Sequence, residues 1–430
     1  MCPAEMFRYS RFSALHLLQM MSGYRQERLA LYLCFFVLGL SFAAWGVHVP
    51  IVKHRFALSD ARLSMALLAV ALGSLGALWA WGSRVDRLSP RTAATLCATL
   101  LLASVAALGV APSFALVLGL LLVFGAAGAS LDVAINAAAS RVETRSARPL
   151  MSRLHGMFSA GGIVGAGGGG LMLAHGLSPA AQMSGTALVG LSLIGIAFGA
   201  FRGTPGASPE AGSPADKAET HAPTETARPA ACVSAPPSAY PGRHITILGI
   251  VALVTQLAEG AMYDWSTVYM RDEIGAGAAA VGGAYAAFSG GMALARFGGD
   301  MIRARLGAAT LVLGCGVLAA AGMSLALCWP STAATLIGFG AMGLGLANMM
   351  PVLLAAAGQA GGAFPARAIT RVAGLAYFGM MLGPPVIGST AHLLGLSHAL
   401  WLVAAIALLL GLGGAHLLRR PRQPAPGSDG

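Results

Sequence analysis

Runs without a single Asp, Glu, Lys or Arg recur along the whole chain: Leu29 to Val52, Leu63 to Ser83, Thr92 to Leu131, Leu154 to Phe201, Ile274 to Ala295, Leu306 to Ala366 and Val372 to Leu418. A bilayer core about 30 Å thick is crossed by roughly 20 apolar residues in a helix, so the longer runs hold two crossings each. Turn-forming clusters divide them at Ala111-Pro112-Ser113, between His175 and Pro179, at Trp329-Pro330-Ser331, around Gly358 to Pro365, and between Gly395 and His398. With the stretch from Ile245 to Met270 added, the pattern predicts twelve spans: 29–52, 63–82, 92–111, 114–140, 154–175, 181–201, 245–270, 276–297, 306–328, 331–357, 370–393 and 398–418.

Backbone N–H and C=O groups find no water in lipid, so a span is a helix or a strand of a closed barrel, and runs this long exclude strands. The expected fold class is therefore an all-α membrane protein. Composition agrees: 56% of the 430 residues are hydrophobic and 10% are charged. A soluble domain needs about 25% charged residues to keep its surface wet.

Residues 202–244 separate two groups of six spans; they hold eight prolines among many Ala, Ser and Thr. Such a composition buries too little apolar surface to offset the entropy of ordering, so a disordered linker is expected. The expected organisation is an N-terminal segment 1–28, a six-helix bundle 29–201, the linker, a second bundle 245–418 and a tail 419–430.

Charge sets the expected orientation. Of the 27 Lys and Arg residues, 23 fall on the side that holds both termini, and only Lys53, Arg55, Arg62 and Arg271 fall on the other. The positive-inside rule then places both termini in the cytoplasm. The net charge of +11 needs no nucleic-acid partner, because these cations set topology and meet anionic lipid headgroups. The six cysteines form no C-x-x-C pair, so neither a metal site nor a disulfide framework is expected, nor any cofactor. The first 24 residues lack a signal-peptide core and cleavage site, and span one is expected to act as the insertion signal.

The halves resemble each other. Gly125, Gly128, Asp132 and Asn136 in helix four parallel Gly340, Gly343, Ala347 and Pro351 in helix ten, without an acid in the second copy. The loops after helices two and eight also correspond, with Arg84, Asp86, Arg87 and Arg91 against Arg296, Asp300, Arg303 and Arg305. The first loop resembles the major facilitator superfamily signature G-x-x-x-D-R-x-G-R-R, with Ser89 and Pro90 where that signature has Gly and Arg.

That resemblance covers residues 29–418 and implies two pseudo-symmetric six-helix bundles that rock about a central site. It also implies that Asp86, Arg87, Arg91 and Asp300 form a conformational latch. Trp45-Gly46 and Asp132-x-x-x-Asn136 resemble the fucose-permease-like branch. Arg148 to Gly156 and Ala258 to Ser266 resemble a poorly characterised set of bacterial inner-membrane members. The sugar symporters of that branch carry an acid after the Trp-Gly, where this chain has Val47-His48-Val49-Pro50, which argues against sugar as the solute.

Only Asp132, Glu259 and Asp264 of the sixteen carboxylates fall within the predicted spans. A charge there costs at least about 2.5 to 3.5 kcal/mol on insertion scales, so each should face a cavity or a partner. Asp132 shares a helical stripe with Gly125, Gly128 and Asn136. It is expected to bind solute or carry a proton, or alternatively to pair with an arginine of loop 4–5. Gln256, Glu259, Tyr263 and Thr267 form a second stripe suited to a polar solute. Asp264 and Trp265 are expected to gate the outer end, or Asp264 simply to be hydrated there. His48 and His155 are relay candidates or structural groups, and Trp45 and Trp265 are possible stacking platforms. Trp79 and Trp81 fit an interfacial belt.

The seven glycines of Gly161 to Gly170 suit close helix contact and not a phosphate loop, which needs a preceding strand and a Lys-Ser/Thr. The function expected is a monomeric secondary transporter, by symport with a proton carried on Asp132 or Glu259. The alternative is an exporter of drugs or metabolites, and a different class is a non-transporting membrane sensor. An enzyme is not expected, since no nucleophile array or acid pair stands at working spacing.

Overall fold

The computed structural model describes residues 3–81, 89–146, 150–199, 242–362 and 364–418, and the side chains of all but 3–23, 81, 90, 199, 299–304 and 366 among them. The linker and tail expectations fall outside the described residues. No strand occurs within them, and twelve helices are long and apolar enough to cross a membrane.

The first bundle comprises α1 (Pro3–Arg55), α2 (Asp60–Trp81), α3 (Pro90–Val110), α4 (Phe114–Ser146), α5 (Met151–Ala174) and α6 (Pro179–Gly199). The second comprises α7 (Gly242–Asp272), α8 (Ala278–Leu306), α9 (Ala308–Cys328), α10 (Thr332–Leu346), α11 (Met349–Ala360), α12 (Pro365–Leu394) and α13 (Leu396–Leu418). Twelve crossings bring the start of α1 and the end of α13 to one face, the terminal face; α1 and α7 end on the opposite, distal face.

Local chemistry explains the helix starts. Ser89 caps α3 by accepting from the Thr92 amide, and Pro90 follows at the first helical position, where its missing N–H costs nothing. The two residues that depart from the loop signature thus start the next helix. Glu143 reaches past the end of α4 to accept from the Leu150 and Met151 amides, both at 3.0 Å, and caps α5. Between α12 and α13 the chain turns at Gly395, whose φ of 89° suits a residue without Cβ.

Two boundaries differ from the sequence expectation. Helix one does not begin near Leu29 but continues back to Pro3, and its membrane-crossing part starts at Tyr24. Helix ten, expected as one rod, divides into α10 and α11 at Ala347-Asn348. Pro351 lies in the first turn of α11 and cannot donate to the preceding turn, and the Asn348 side chain instead donates to the Ala295 carbonyl at 3.4 Å.

The duplication is visible in packing. A Cβ on Gly125 would strike the Val70 carbonyl of α2, and one on Gly343 would strike the Phe288 carbonyl of α8, so α4 sits on α2 as α10 sits on α8. The bundles meet along α5 with α8, α2 with α12, and α1 with α7. Large apolar side chains such as Leu188, Leu294 and Leu393 point outward, as a lipid-facing surface requires.

Candidate functional site

Asp132 and Asn136 are one helical turn apart on α4, so their side chains meet on one face. The Asn136 Nδ2 donates to Asp132 Oδ1 and to the Asp132 carbonyl, each at 2.9 Å. The other polar neighbour of this carboxylate is Tyr377, which α12 brings from the opposite bundle. Asp132 is half-buried. No cation faces it among the described residues: Arg145 of the loop 4–5 region is held by Glu27 at 2.8 Å. The alternative pairing with a loop arginine is therefore absent among the described residues.

A second centre joins α7, α8 and α5. Arg296 Nη2 lies 3.4 Å from Glu259 Oε1, and its Nη1 donates to Ser159 Oγ at 3.0 Å. Ser152 donates to the Arg296 carbonyl at 3.0 Å, so α5 grips this turn of α8 twice. The Arg296 side chain is 17% exposed and that of Glu259 9%. Pairing the buried carboxylate with the buried guanidinium offsets the cost of taking each charge out of water, which an unpaired charge would bear alone. Counting Arg296 as a loop residue missed this arrangement. Its signal was its position inside the predicted span 276–297, where a cation calls for a partner. His155, one turn before Ser159, packs its ring at 5.4 Å from Phe35.

Aromatics and unsatisfied polar atoms gather on α1, α7 and α8. Tyr263 packs against Tyr285 at 5.2 Å and Phe288 at 5.1 Å, and Gly46 leaves the space that the Tyr285 ring fills. The Tyr263 hydroxyl, Gln256 Oε1, His48 Nδ1 and Trp45 Nε1 are buried with no hydrogen-bond partner among the described residues. Asp264 is half-buried beside Tyr285 and also lacks an ion-pair partner there. Trp45 and Trp265 are 4% and 0% exposed, so neither offers its ring to a solute in this state. Trp265 instead packs where Gly388 of α12 meets Ser64 of α2.

Polar contacts join the helix ends at the distal face, and all of them except Lys53 to Asp60 cross between the bundles. Lys53 binds Asp60 at 2.7 Å and Asp272 at 2.5 Å, His54 meets Asp272 at 2.7 Å, and Thr267 donates to the Gly46 carbonyl at 2.7 Å. The first three had no counterpart in the sequence reading. Of the expected latch, Asp86 and Arg87 lie outside the described residues, as does the Asp300 side chain; Arg91 donates to the Phe198 carbonyl at 2.7 Å, within its own bundle.

Comparison with known proteins follows this geometry. The sequence pattern described as the Major Facilitator Superfamily matches residues 31–299. The chain is 33% identical over 389 residues to an uncharacterized MFS-type transporter of Yersinia pestis, covering 90% of this chain and 94% of that protein. It is 28% identical over 399 residues to the membrane protein MosC of Rhizobium meliloti, covering 91% and 90%. Among solved structures it is similar to the nucleoside transporter NupG, at 13% identity and a TM-score of 0.66 over 93% of this chain and 99% of that one. A bacterial homologue of the human lysosomal transporter Spinster, inward-facing and unoccupied, aligns at 14% identity and a TM-score of 0.61 over 92% and 98%.

Proposed function

The chain belongs to the major facilitator superfamily, and from that premise we propose that it carries a small polar solute across the bacterial inner membrane by alternating access, coupled to a proton. The observation that carries this reading is the pair of polar centres, each built from both bundles: Asp132 and Asn136 with Tyr377, and Glu259 and Arg296 with Ser159. A site assembled from both halves is remade whenever they rock, which is what binding linked to alternating access requires.

The two centres divide the work. Among the described residues Asp132 is partnered by the neutral Asn136 and Tyr377, so it takes up a positive charge, on the solute or as a proton. Glu259 is neutralised by Arg296 while that arginine also bonds to Ser159 of the other bundle. Protonating Glu259 frees the guanidinium to release Ser159 or to meet an anionic group. The ties of Lys53 to Asp272 and of Thr267 to the Gly46 carbonyl support a state closed at the distal face, and the positive-inside rule assigns the terminal face to the cytoplasm. The latch of Asp86, Arg87, Arg91 and Asp300 belongs to the same cycle.

Polar lining by Asp132, Asn136 and Gln256 favours a hydrophilic solute over an apolar drug. Thermal unfolding of the purified protein against sugars, organic acids, amino acids and cationic drugs tests this, since selective binding to the folded state raises the midpoint. A shift with one polar class that is lost in Asp132→Asn supports the assignment. Equal shifts in wild type and variant overturn it.

A further inference from the structure

A cavity of about 540 Å³ lies apart from the two polar centres, at the distal ends of α1, α5, α7 and α8. Its walls are apolar, formed by Val47, Ile51, Leu173 and Val281, and Arg55 and Arg271 stand at its edge with His54. Arg55 is the last residue of α1 and Arg271 the last but one of α7, so both guanidinium groups sit at the level where the spans leave the bilayer. Val47 lies two turns further in, roughly 12 Å along the helix axis. The cavity therefore runs from headgroup depth into hydrocarbon depth.

These two cations are out of place by the rule that governs the rest of the chain. The distal face holds only Lys53, Arg55, Arg62 and Arg271 against 23 cations on the other side. Lys53 is occupied by Asp60 and Asp272. Arg55 stacks on the Phe56 ring at 5.3 Å, and Arg271 donates to the Ala276 carbonyl at 3.4 Å; neither meets a carboxylate among the described residues. Two arginines without counter-ions, one from each bundle, thus border one apolar chamber.

We infer that this chamber is a binding site for an anionic phospholipid of the distal leaflet. Its phosphate lies between Arg55 and Arg271, and the start of an acyl chain lies along Val47, Ile51, Leu173 and Val281. Guanidinium forks match phosphate oxygens, and apolar walls match the chain, whereas a dissolved anion would leave the inner part of the chamber unfilled. Because Arg55 and Arg271 belong to different bundles, the lipid also holds those bundles in the present arrangement. This site is independent of the solute site, and its test needs no transport.

The test uses the full chain purified in neutral detergent, titrated with dioleoylphosphatidylglycerol or dioleoylphosphatidylcholine, with bound lipid counted by native mass spectrometry. The wild type is expected to retain one phosphatidylglycerol and to discriminate against phosphatidylcholine. Arg55→Gln with Arg271→Gln is expected to weaken that retention by roughly thirtyfold, at the usual contribution of a basic side chain near an anionic surface. Both residues are exposed, so the variant should fold. Leu173→Trp keeps the charges and fills the chamber, and should also displace the lipid. Equal retention of both lipids, undiminished retention by the double arginine variant, or competition by inorganic phosphate at concentrations that match the lipid would each overturn the proposal.

Discussion

The guanidinium of Arg296 donates to the hydroxyl of Ser159 at 3.0 Å, across the boundary between the two bundles. The same side chain meets Glu259 within its own bundle, so a protonation event at Glu259 is one bond away from the contact between halves.

Removing one member of that pair should be worse than removing both. Arg296→Gln leaves a buried carboxylate without its cation and should destabilise by about 3 to 5 kcal/mol. The double variant Arg296→Gln, Glu259→Gln should recover most of it. Thermal unfolding of the four proteins in one detergent measures the cycle, and additive losses would refute the coupling.

Glu259→Gln alone mimics the protonated side chain. Solute exchange without a gradient should persist in proteoliposomes, while accumulation driven by an imposed pH gradient should fall at least tenfold. Loss of both activities would instead make Glu259 a solute contact.

Tyr377→Phe removes the hydroxyl that α12 offers to Asp132 and keeps the ring. Solute affinity should drop at least about tenfold, in line with one hydrogen bond to a charged group. The midpoint without solute should hardly move, because Tyr377 is 55% exposed. Titration by intrinsic fluorescence or heat reads the affinity directly.

Asp272→Asn weakens the distal ties to Lys53 and His54, which are worth about 1 kcal/mol at most at such a half-exposed position. A cysteine at Ser266, buried in this state, should then react several-fold faster with a membrane-impermeant maleimide added from the distal side. An unchanged rate would mean that Thr267 and the Ser64 to Gly388 contact close that face alone.

Close approach of α5 and α8 supplies a stability test. A Cβ at Gly282 would run into the Ala166 carbonyl, and backbone cannot yield as a side chain can. Gly282→Ala should cost about 1 to 3 kcal/mol, whereas Gly277→Ala, which meets nothing within 4 Å, should cost little.

Twelve crossings were legible because chain length between charges is a direct readout of bilayer thickness, and the turn clusters at Pro112, Pro179 and Pro330 mark the ends. The Asp132 and Asn136 contact was legible too, since helical periodicity alone places residues four apart together. Tyr377 was not assignable as their neighbour, because nothing in local spacing says which side chain of a distant helix crosses the boundary. Arg296 was misread for a different reason: in a membrane chain a cation is taken as the marker of a loop, and that rule fails where an acid waits on the next helix. The break at Asn348 stayed hidden because apolar residues continue through it, and only the missing amide of Pro351 betrays it.

That break leaves the duplicated halves mechanically unequal. Helix four runs unbroken from Phe114 to Ser146, while its counterpart is jointed at Asn348. A rigid rod transmits torque to both its ends, whereas a jointed one absorbs rotation at its elbow. A motion of the first bundle would be carried along its unbroken rod, whereas the second has a joint at Asn348, next to the turn of α8 that carries Arg296.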